Sequence, residues 1–291
     1  MKPNKNFITI TILFFIIILG YASSGMSYKI IYTYDTLDRL TKVDYGYGKY
    51  ISYGYDESGN ITQVIQEKGQ SSTIETNESF VQQQYRDFFN REGETSGVAY
   101  WAAALASGQV YRDQLVQIFF ESAEFQVRSQ PAARLYLAYF NRIPSYSDLQ
   151  GWISQYATGT SLYDISQTFA STQEFQNQYG NLDNTEFAQL VYTNVLQRTP
   201  DTDGFNYWVD RLNNGYSRAN MMACFAESGE YKNLSRNKLK VIMLYTAMLR
   251  REPDQSGYEY WVNNLVSGVS VINFINGFLT STEYTNRIYS L

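Results

Sequence analysis

The sequence predicts a mainly α-helical protein, an array of four three-helix repeats preceded by a small antiparallel β segment. The first observation behind this prediction is a pattern of Tyr, five residues, Arg, nine residues and Trp that occurs four times. The second is that, ahead of these repeats, apolar residues alternate at a period of two. The repeated pattern comprises Tyr85, Arg91 and Trp101; Tyr136, Arg142 and Trp152; Tyr192, Arg198 and Trp208; and Tyr245, Arg251 and Trp261.

The helices of a unit follow from the apolar spacing, which is clearest in the fourth occurrence. Val241, Tyr245 and Met248 share one face of a first helix, which Arg251 closes and Pro253 stops. A second helix carries the Trp and ends at a glycine. A third helix is predicted to run without a break to a Glu-aromatic pair. An all-α domain over residues 79–291 therefore contains four units, at 80–125, 133–175, 187–231 and 240–284.

The segment at residues 28–66 has strand periodicity. Residues 32–43 are echoed by residues 53–64, and each copy carries a Tyr-x-Tyr-Asp start before a turn. These copies resemble the tyrosine-aspartate (YD) repeats of the Rhs family of large exported shell and toxin proteins, with Asp38 where a glycine is usual. The resemblance implies hairpins. Residues 67–78 are polar and are predicted to form a linker.

The first 22 residues are predicted to be a signal peptide. Lys2 and Lys5 precede an apolar run from Phe7 to Leu19, and small residues follow at the position that signal peptidase requires. An uncleaved N-terminal anchor is the alternative. The expected location is therefore secreted, periplasmic or at the cell surface.

Charge and composition limit the partners. The formal net charge is −5, and loss of Lys2 and Lys5 with the signal would make it more negative. An acidic chain is unsuited to nucleic acid or to an anionic membrane surface. The absence of histidine excludes His-dependent triads and His-rich metal sites. Cys224, the single cysteine, is expected to be a buried, inert thiol, and no cofactor is predicted.

The helical repeats resemble the domain of unknown function 4214, which is itself similar to the linker domain of phycobilisome linker polypeptides. The residues that carry this resemblance are Leu-Tyr-x5-Arg-x-Pro-Asp-x-x-Gly-x-x-Tyr-Trp, from Leu244 to Trp261. The third unit, Val191 to Trp208, matches nearly as well. The resemblance implies a helical fold, bacterial export and assembly with a protein or matrix, and it supplies no catalytic residue.

Two interpretations of the four arginines follow from the sequence. They could form a ladder that grips carboxylates of a glycan or partner. Alternatively, each caps the end of its first helix and pairs with the Glu of the Glu-aromatic pair, or lies on the nearby Trp face. The single Arg and single Glu per unit favour the internal pair. These glutamates are Glu124, Glu174, Glu230 and Glu283.

The acidic turns and the tyrosines supply the other candidate sites. Asp201 and Asp203 precede a glycine, which is typical of a helix N-cap and turn, with a calcium loop as the alternative. The tyrosines expected at the surface are Tyr146, Tyr156, Tyr163, Tyr216 and Tyr258.

The favoured function is that of an exported, non-enzymatic interaction protein with an extracellular or envelope protein or polysaccharide as partner. One alternative is a glycan hydrolase that uses paired carboxylates, which have no sequence signature of their own. Another is an adaptor fragment of an Rhs-type toxin system. The sequence leaves the oligomeric state open.

Overall fold

The computed structural model describes residues 11–13, 27–29, 31–44, 49–68 and 76–289, and the chain divides into two compact units, 1–75 and 76–291. Apart from Thr11–Leu13, the predicted signal peptide lies outside the described residues. The predicted linker at 67–78 is shorter than expected, because the last strand runs to Lys68 and the first helix begins at Asn77. Residues 69–75, between these two elements, also lie outside the described part.

The described residues of the N-terminal unit form six strands, all paired antiparallel. A two-stranded sheet pairs the first two strands, and a four-stranded sheet has the order β3-β4-β5-β6. The strands are β1 (Thr11–Leu13), β2 (Ser27–Lys29), β3 (Ile31–Tyr34), β4 (Leu40–Asp44), β5 (Lys49–Tyr55) and β6 (Ile61–Lys68).

The echoed segments form two equivalent hairpins, β3–β4 and β5–β6, as their spacing predicts. In the first turn, Asp35 Oδ1 accepts hydrogen bonds from the backbone N–H groups of Leu37 and Arg39 at 2.8 and 3.0 Å. In the second, an aspartate at the same position accepts from an N–H four residues later. Asp38 has a φ of 59°, so it adopts the left-handed conformation that Gly59 adopts with a φ of 87°.

The C-terminal unit is α-helical, with fourteen α-helices and one π-helical segment in residues 76–289. None of these described helices is both long and apolar enough to cross a membrane. The elements are α1 (Asn77–Phe89), α2 (Thr95–Ser107), α3 (Arg112–Glu121), α4 (Ala123–Phe140), α5 (Tyr146–Ala157), α6 (Leu162–Ala170), α7 (Gln173–Tyr179), α8 (Asn184–Val195), α9 (Thr202–Asn213), α10 (Arg218–Glu227), α11 (Gly229–Leu244), the π segment (Tyr245–Leu249), α12 (Gln255–Val266), α13 (Val271–Leu279) and α14 (Thr282–Tyr289).

The prediction of one continuous third helix per unit was wrong, because a hydroxyl side chain starts a new helix before each Glu-aromatic pair. The Ser228 hydroxyl accepts a hydrogen bond from the Tyr231 N–H at 3.1 Å, and its backbone is extended. Thr172 and Ser281 do the same in the second and fourth units. The equivalent residue in the first unit is Ser122. The sequence signal for this break is a run of four consecutive residues: Ser or Thr, then any residue, then Glu, then an aromatic.

The prediction that the repeated Arg closes the first helix of each unit was wrong. In all four units the residue directly before that Arg has a positive φ: 52° at Asn90, 44° at Asn141, 57° at Gln197 and 53° at Arg250. The left-handed residue ends the helix and turns the chain.

The four units pack as two pairs and not only along the chain. The first helix of unit one, α1, contacts the π segment of unit four, and α3 contacts α13. Units two and three repeat this arrangement, because α4 contacts α8, and α6 contacts α10. The long helices α4 and α11 link the two pairs and pack on each other.

A buried ion pair joins the first and last units. The Asp87 carboxylate, which has 0% of its side chain exposed, accepts from Arg287 Nη1 at 3.0 Å and from Gln83 Nε2 at 2.8 Å. Burial raises the pKa of Asp87, whereas the Arg287 guanidinium opposes that rise. Removing either partner would leave an uncompensated buried charge, so this pair fixes how the two units meet.

Replacing Gln197 by Asn, the residue that units one and two carry at this place, is expected to stabilise the protein. The left-handed conformation costs glutamine about 1 kcal/mol, and asparagine tolerates it better, so we expect a gain of about 0.5–1 kcal/mol in urea unfolding. The matched control is Gln189→Asn, an exposed residue inside α8, where the lower helix propensity of Asn should cost a few tenths of a kcal/mol. The same sign of change at both positions would contradict this explanation.

Candidate functional site

The repeated tyrosine lies at the centre of each unit. Its ring meets a phenylalanine of the third helix nearly edge to face, with centroid distances of 4.9 Å for Tyr85–Phe119, 5.8 Å for Tyr136–Phe169, 4.9 Å for Tyr192–Phe225 and 4.8 Å for Tyr245–Phe278. In three units the Trp ring packs on the same phenylalanine, whereas Trp261 stacks on Phe274 at 4.1 Å. All four tryptophans are half-buried. The Tyr and Trp that recur in every unit therefore form part of a packed aromatic centre.

The repeated arginine lies over the face of that tyrosine and pairs with the glutamate of the fourth helix. The guanidinium carbon lies 5.0 to 5.3 Å from the tyrosine centroid in the four units. Both Nε and Nη2 donate to the two carboxylate oxygens, as in Arg142–Glu174 at 2.9 and 2.8 Å. The other pairs are Arg91–Glu124, Arg198–Glu230 and Arg251–Glu283. The predicted Arg–Glu pairing is thus present in every unit, and the aromatic face that the arginine covers belongs to Tyr instead of Trp.

These ion pairs are partly exposed, which limits what each contributes. Side-chain exposure is 51% for Arg142 and 45% for Glu174, so each pair is worth at most about 1 kcal/mol. Hydrogen bonds from Arg142 and Arg251 lower the pKa of Glu174 and of Glu283 below the ordinary glutamate value. The two-pronged geometry fixes the angle between the first and fourth helices more than it adds energy.

A glycine in the second helix makes room for the tyrosine hydroxyl. A Cβ at Gly257 would lie 2.5 Å from Tyr245 Oη, and one at Gly204 would lie 2.7 Å from Tyr192 Oη. Gly97 has the same relation to the tyrosine of the first unit. Gly151 of the second unit has no atom near its Cβ position and so serves no such purpose.

The acidic turns act as helix caps. Asp201 Oδ1 accepts from the Gly204 N–H at 2.8 Å at the start of α9, and Asp254 caps α12 in the same way. Asp203 lies exposed in the first turn of α9. In the described part of the chain, no three acidic or cysteine side chains come together as metal ligands would. Asp201 and Asp203, the calcium candidates, therefore lack a third acidic ligand there.

The exposed tyrosines are mostly not those expected from the sequence. Tyr163 is 49% exposed, but the other four expected tyrosines, Tyr146, Tyr156, Tyr216 and Tyr258, are half-buried. Among the described residues of the helical units, the three most exposed tyrosines are Tyr100 at 65%, Tyr207 at 51% and Tyr260 at 60%. Each directly precedes a repeated Trp and lies edge-on to it at 5.0 to 5.1 Å. The Tyr-Trp dipeptide, which three units contain, was the sequence signal that could have identified these exposed tyrosines.

Cys224 is half-buried, whereas the sequence predicted a fully buried thiol. Its sulfur lies 3.5 Å from the Tyr216 hydroxyl and 4.0 Å from the Tyr163 hydroxyl. The hydrogen bond with Cys224 raises the pKa of Tyr216 to about 12. The thiol therefore lies under two tyrosine hydroxyls of units two and three.

Comparison with known families agrees with this repeat architecture. The profile of the family described as "Domain of unknown function (DUF4214)" matches residues 66–129, 166–235 and 237–288, more than half of the chain. The chain belongs to that family. The unmatched stretch between the first two regions contains most of the second unit, whose turn and glycine depart from the others. Neither the curated proteins nor the solved structures contain a match.

Substituting the motif glycine by alanine should destabilise the protein because the tyrosine hydroxyl occupies the space. We expect Gly257→Ala to lower the free energy of unfolding by about 1–2 kcal/mol, since overpacking outweighs the gain in helix propensity. Gly151→Ala, with open space around it, should instead raise it by about 0.5–1 kcal/mol. In chemical denaturation, the cost of Gly257→Ala should shrink in a Tyr245→Phe background. An unchanged cost there would show that the hydroxyl is not the obstacle.

Acid should remove the stabilisation that the Arg–Glu pairs provide. A carboxyl whose folded-state pKa is lowered stabilises the fold above its unfolded pKa, and this is lost as the pH falls through the folded value. We expect stability to fall below about pH 4.5 more steeply in the wild type than in Glu174→Gln/Glu283→Gln. Urea midpoints between neutral pH and the onset of acid unfolding measure this. Parallel curves for the two proteins would mean that the pairs contribute nothing.

Proposed function

We propose that the protein is an exported, non-enzymatic interaction protein. Its helical units would present a binding surface to an extracellular or envelope partner, protein or polysaccharide. The observation that carries this proposal is that the shared side chains of the repeat and its exposed side chains have different uses. The Tyr, Arg, Trp and Glu side chains that all units share are used in internal contacts, whereas Tyr100, Tyr207 and Tyr260 stay exposed at one equivalent position.

The use of the acidic side chains supports a binding role over catalysis by paired carboxylates. The glutamates of the repeat are hydrogen-bonded to arginines, and Asp201, Asp254 and Asp183 cap helices. A retaining or inverting glycosidase needs two carboxyl groups about 5 to 10 Å apart that face a substrate. These particular carboxylates are committed to ion pairs and caps and are therefore unsuited to that task.

The proposal includes export and the likenesses to Rhs-type repeats and to the phycobilisome linker domain. The charged start, the apolar run and the small residues before residue 23 support a signal peptide. The two equivalent hairpins, with left-handed Asp38 and Gly59 at the same turn position, support the likeness to Rhs-type tyrosine-aspartate units. The likeness of the helical repeat to the phycobilisome linker domain supports a role in assembly. The adaptor of an Rhs-type toxin system stays the alternative within the same class of binding proteins.

Simultaneous substitution of the three exposed tyrosines by alanine tests the proposed surface. The purified chain is immobilised and exposed to envelope extract and to soluble polysaccharides. We expect the wild type to retain a ligand, and the triple variant to lose most of it, because aromatic contact residues dominate binding energies. The thermal midpoint should change little, since the removed rings are exposed.

The matched control is Tyr34→Ala, a tyrosine that is 50% exposed in the N-terminal unit. It should bind as the wild type does. A protein that retains no ligand, or a triple variant that binds fully, would contradict the proposed surface. Mass determination of the chain recovered from outside the cytoplasm tests export, and a chain found only in the cytoplasm would contradict it.

A further inference from the structure

Among the positions at which the third unit departs from the fourth, three partly exposed ones lie close together, although the two units share the same motif spacing. Counted from the repeated Trp, unit three has Arg211, Tyr216 and Cys224, where unit four has Asn264, Val269 and Gly277. None of these three residues belongs to the repeated motif, although the Tyr216 ring borders Trp208 at a centroid distance of 6.1 Å. Side chains that differ between copies of one scaffold are the candidates for a contact that only one copy makes.

The three departing side chains and two exposed tyrosines form one connected cluster. Arg211 Nη1 donates to Tyr207 Oη at 2.7 Å, and the guanidinium carbon lies 4.0 Å from the centroid of the Tyr216 ring. Cys224 connects Tyr216 to Tyr163, which comes from α6 of unit two. Tyr163, Tyr207, Arg211 and Tyr216 are called the tyrosine–arginine cluster below.

Two tyrosines restrain the arginine of this cluster, and most of its N–H groups are available to a ligand. The contact with the Tyr216 ring and the hydrogen bond to Tyr207 restrain the guanidinium, so a ligand would lose less entropy in ordering it. Among the contacts of the described residues, only one of its N–H groups has a partner. It differs in this from the four motif arginines, whose guanidinium groups are bound to glutamates.

The surface around the cluster is polar and partly acidic. Asp203 and Asp210 lie on α9 within one turn of Tyr207, and both are exposed. Their charge, added to that of an acidic chain, repels a polyanion. The exposed neighbours also include Thr202 and Asn206, so the cluster lacks the apolar surround of a protein–protein interface core.

We propose that the tyrosine–arginine cluster binds a neutral sugar unit of a polysaccharide. This inference rests on the proposed function and names the ligand class of that surface. The exposed faces of Tyr163 and Tyr207 would pack on the C–H face of a pyranose ring. The planar fork of Arg211 would donate to adjacent hydroxyls, and Asp210 would accept from them.

Calorimetric titration of the purified chain with maltohexaose, cellohexaose, chitohexaose and the anionic hexagalacturonate tests the proposal. We expect at least one neutral oligosaccharide to bind and the anionic one to bind more weakly. Tyr207→Ala and Arg211→Ala should each weaken binding about tenfold or more. The matched control is Tyr34→Ala, which removes a tyrosine of nearly equal exposure from the N-terminal unit and should leave binding unchanged.

A second readout uses the single cysteine of the chain. Alkylation of Cys224 by iodoacetamide should slow when the oligosaccharide saturates the site, because the thiol lies under Tyr163 and Tyr216. Thermal unfolding of each variant shows whether it is folded. A sugar that binds without slowing the alkylation would overturn the placement of the site.

The outcomes separate this inference from the proposed function. Sugar binding that Tyr207→Ala leaves intact, or that Tyr34→Ala weakens equally, would overturn the cluster and leave the interaction role standing. Preference for hexagalacturonate would overturn the neutral ligand class. Saturable binding of an envelope protein with no binding of any oligosaccharide would overturn the sugar site alone. Absence of both would overturn the proposed function as well.

Discussion

The packing of one tyrosine ring in each unit is the interaction on which the rest of the helical domain depends. The ring of Tyr245 meets a phenylalanine of the third helix at its edge, carries the Arg251 guanidinium on its face and places its hydroxyl against Gly257 of the second helix. The arginine then holds Glu283 at the start of the fourth helix. One side chain thus sets the position of the other three helices, which explains why Tyr, Arg, Gly and Glu recur together.

Pairing of the units completes the core that a single unit cannot close. A unit of about 45 residues buries too little apolar surface to be stable alone, so its faces must be covered by neighbours. Unit one packs on unit four through equivalent helices, and unit two packs on unit three in the same way. The buried Asp87–Arg287 pair lies at the first of these contacts and Arg134–Glu227 at the second. Removal of one partner from either pair would leave a poorly solvated charge at that contact.

Duplication leaves the scaffold fixed and the surface free to change. The scaffold residues are constrained by three helices at once, whereas a side chain such as Arg211 meets only other surface residues of its own unit. The four units can therefore share an aromatic centre and still differ in what they contact. This separation is the physical basis for assigning binding to the exposed tyrosines and to one unit in particular.

The sequence alone determined the four units, the change from strands to helices and the Arg–Glu pairing, because each follows from local periodicity or from one charged partner per unit. It also contained the Ser228 cap and the Tyr-Trp signal, although the continuous third helix and four of the five expected surface tyrosines were wrong. Only the tertiary structure decided that unit one meets unit four, that Tyr207 stays exposed, and that Tyr163 of unit two lies against Cys224 of unit three. Units with the same apolar pattern are interchangeable in sequence, so which neighbour covers a face depends on the whole packing.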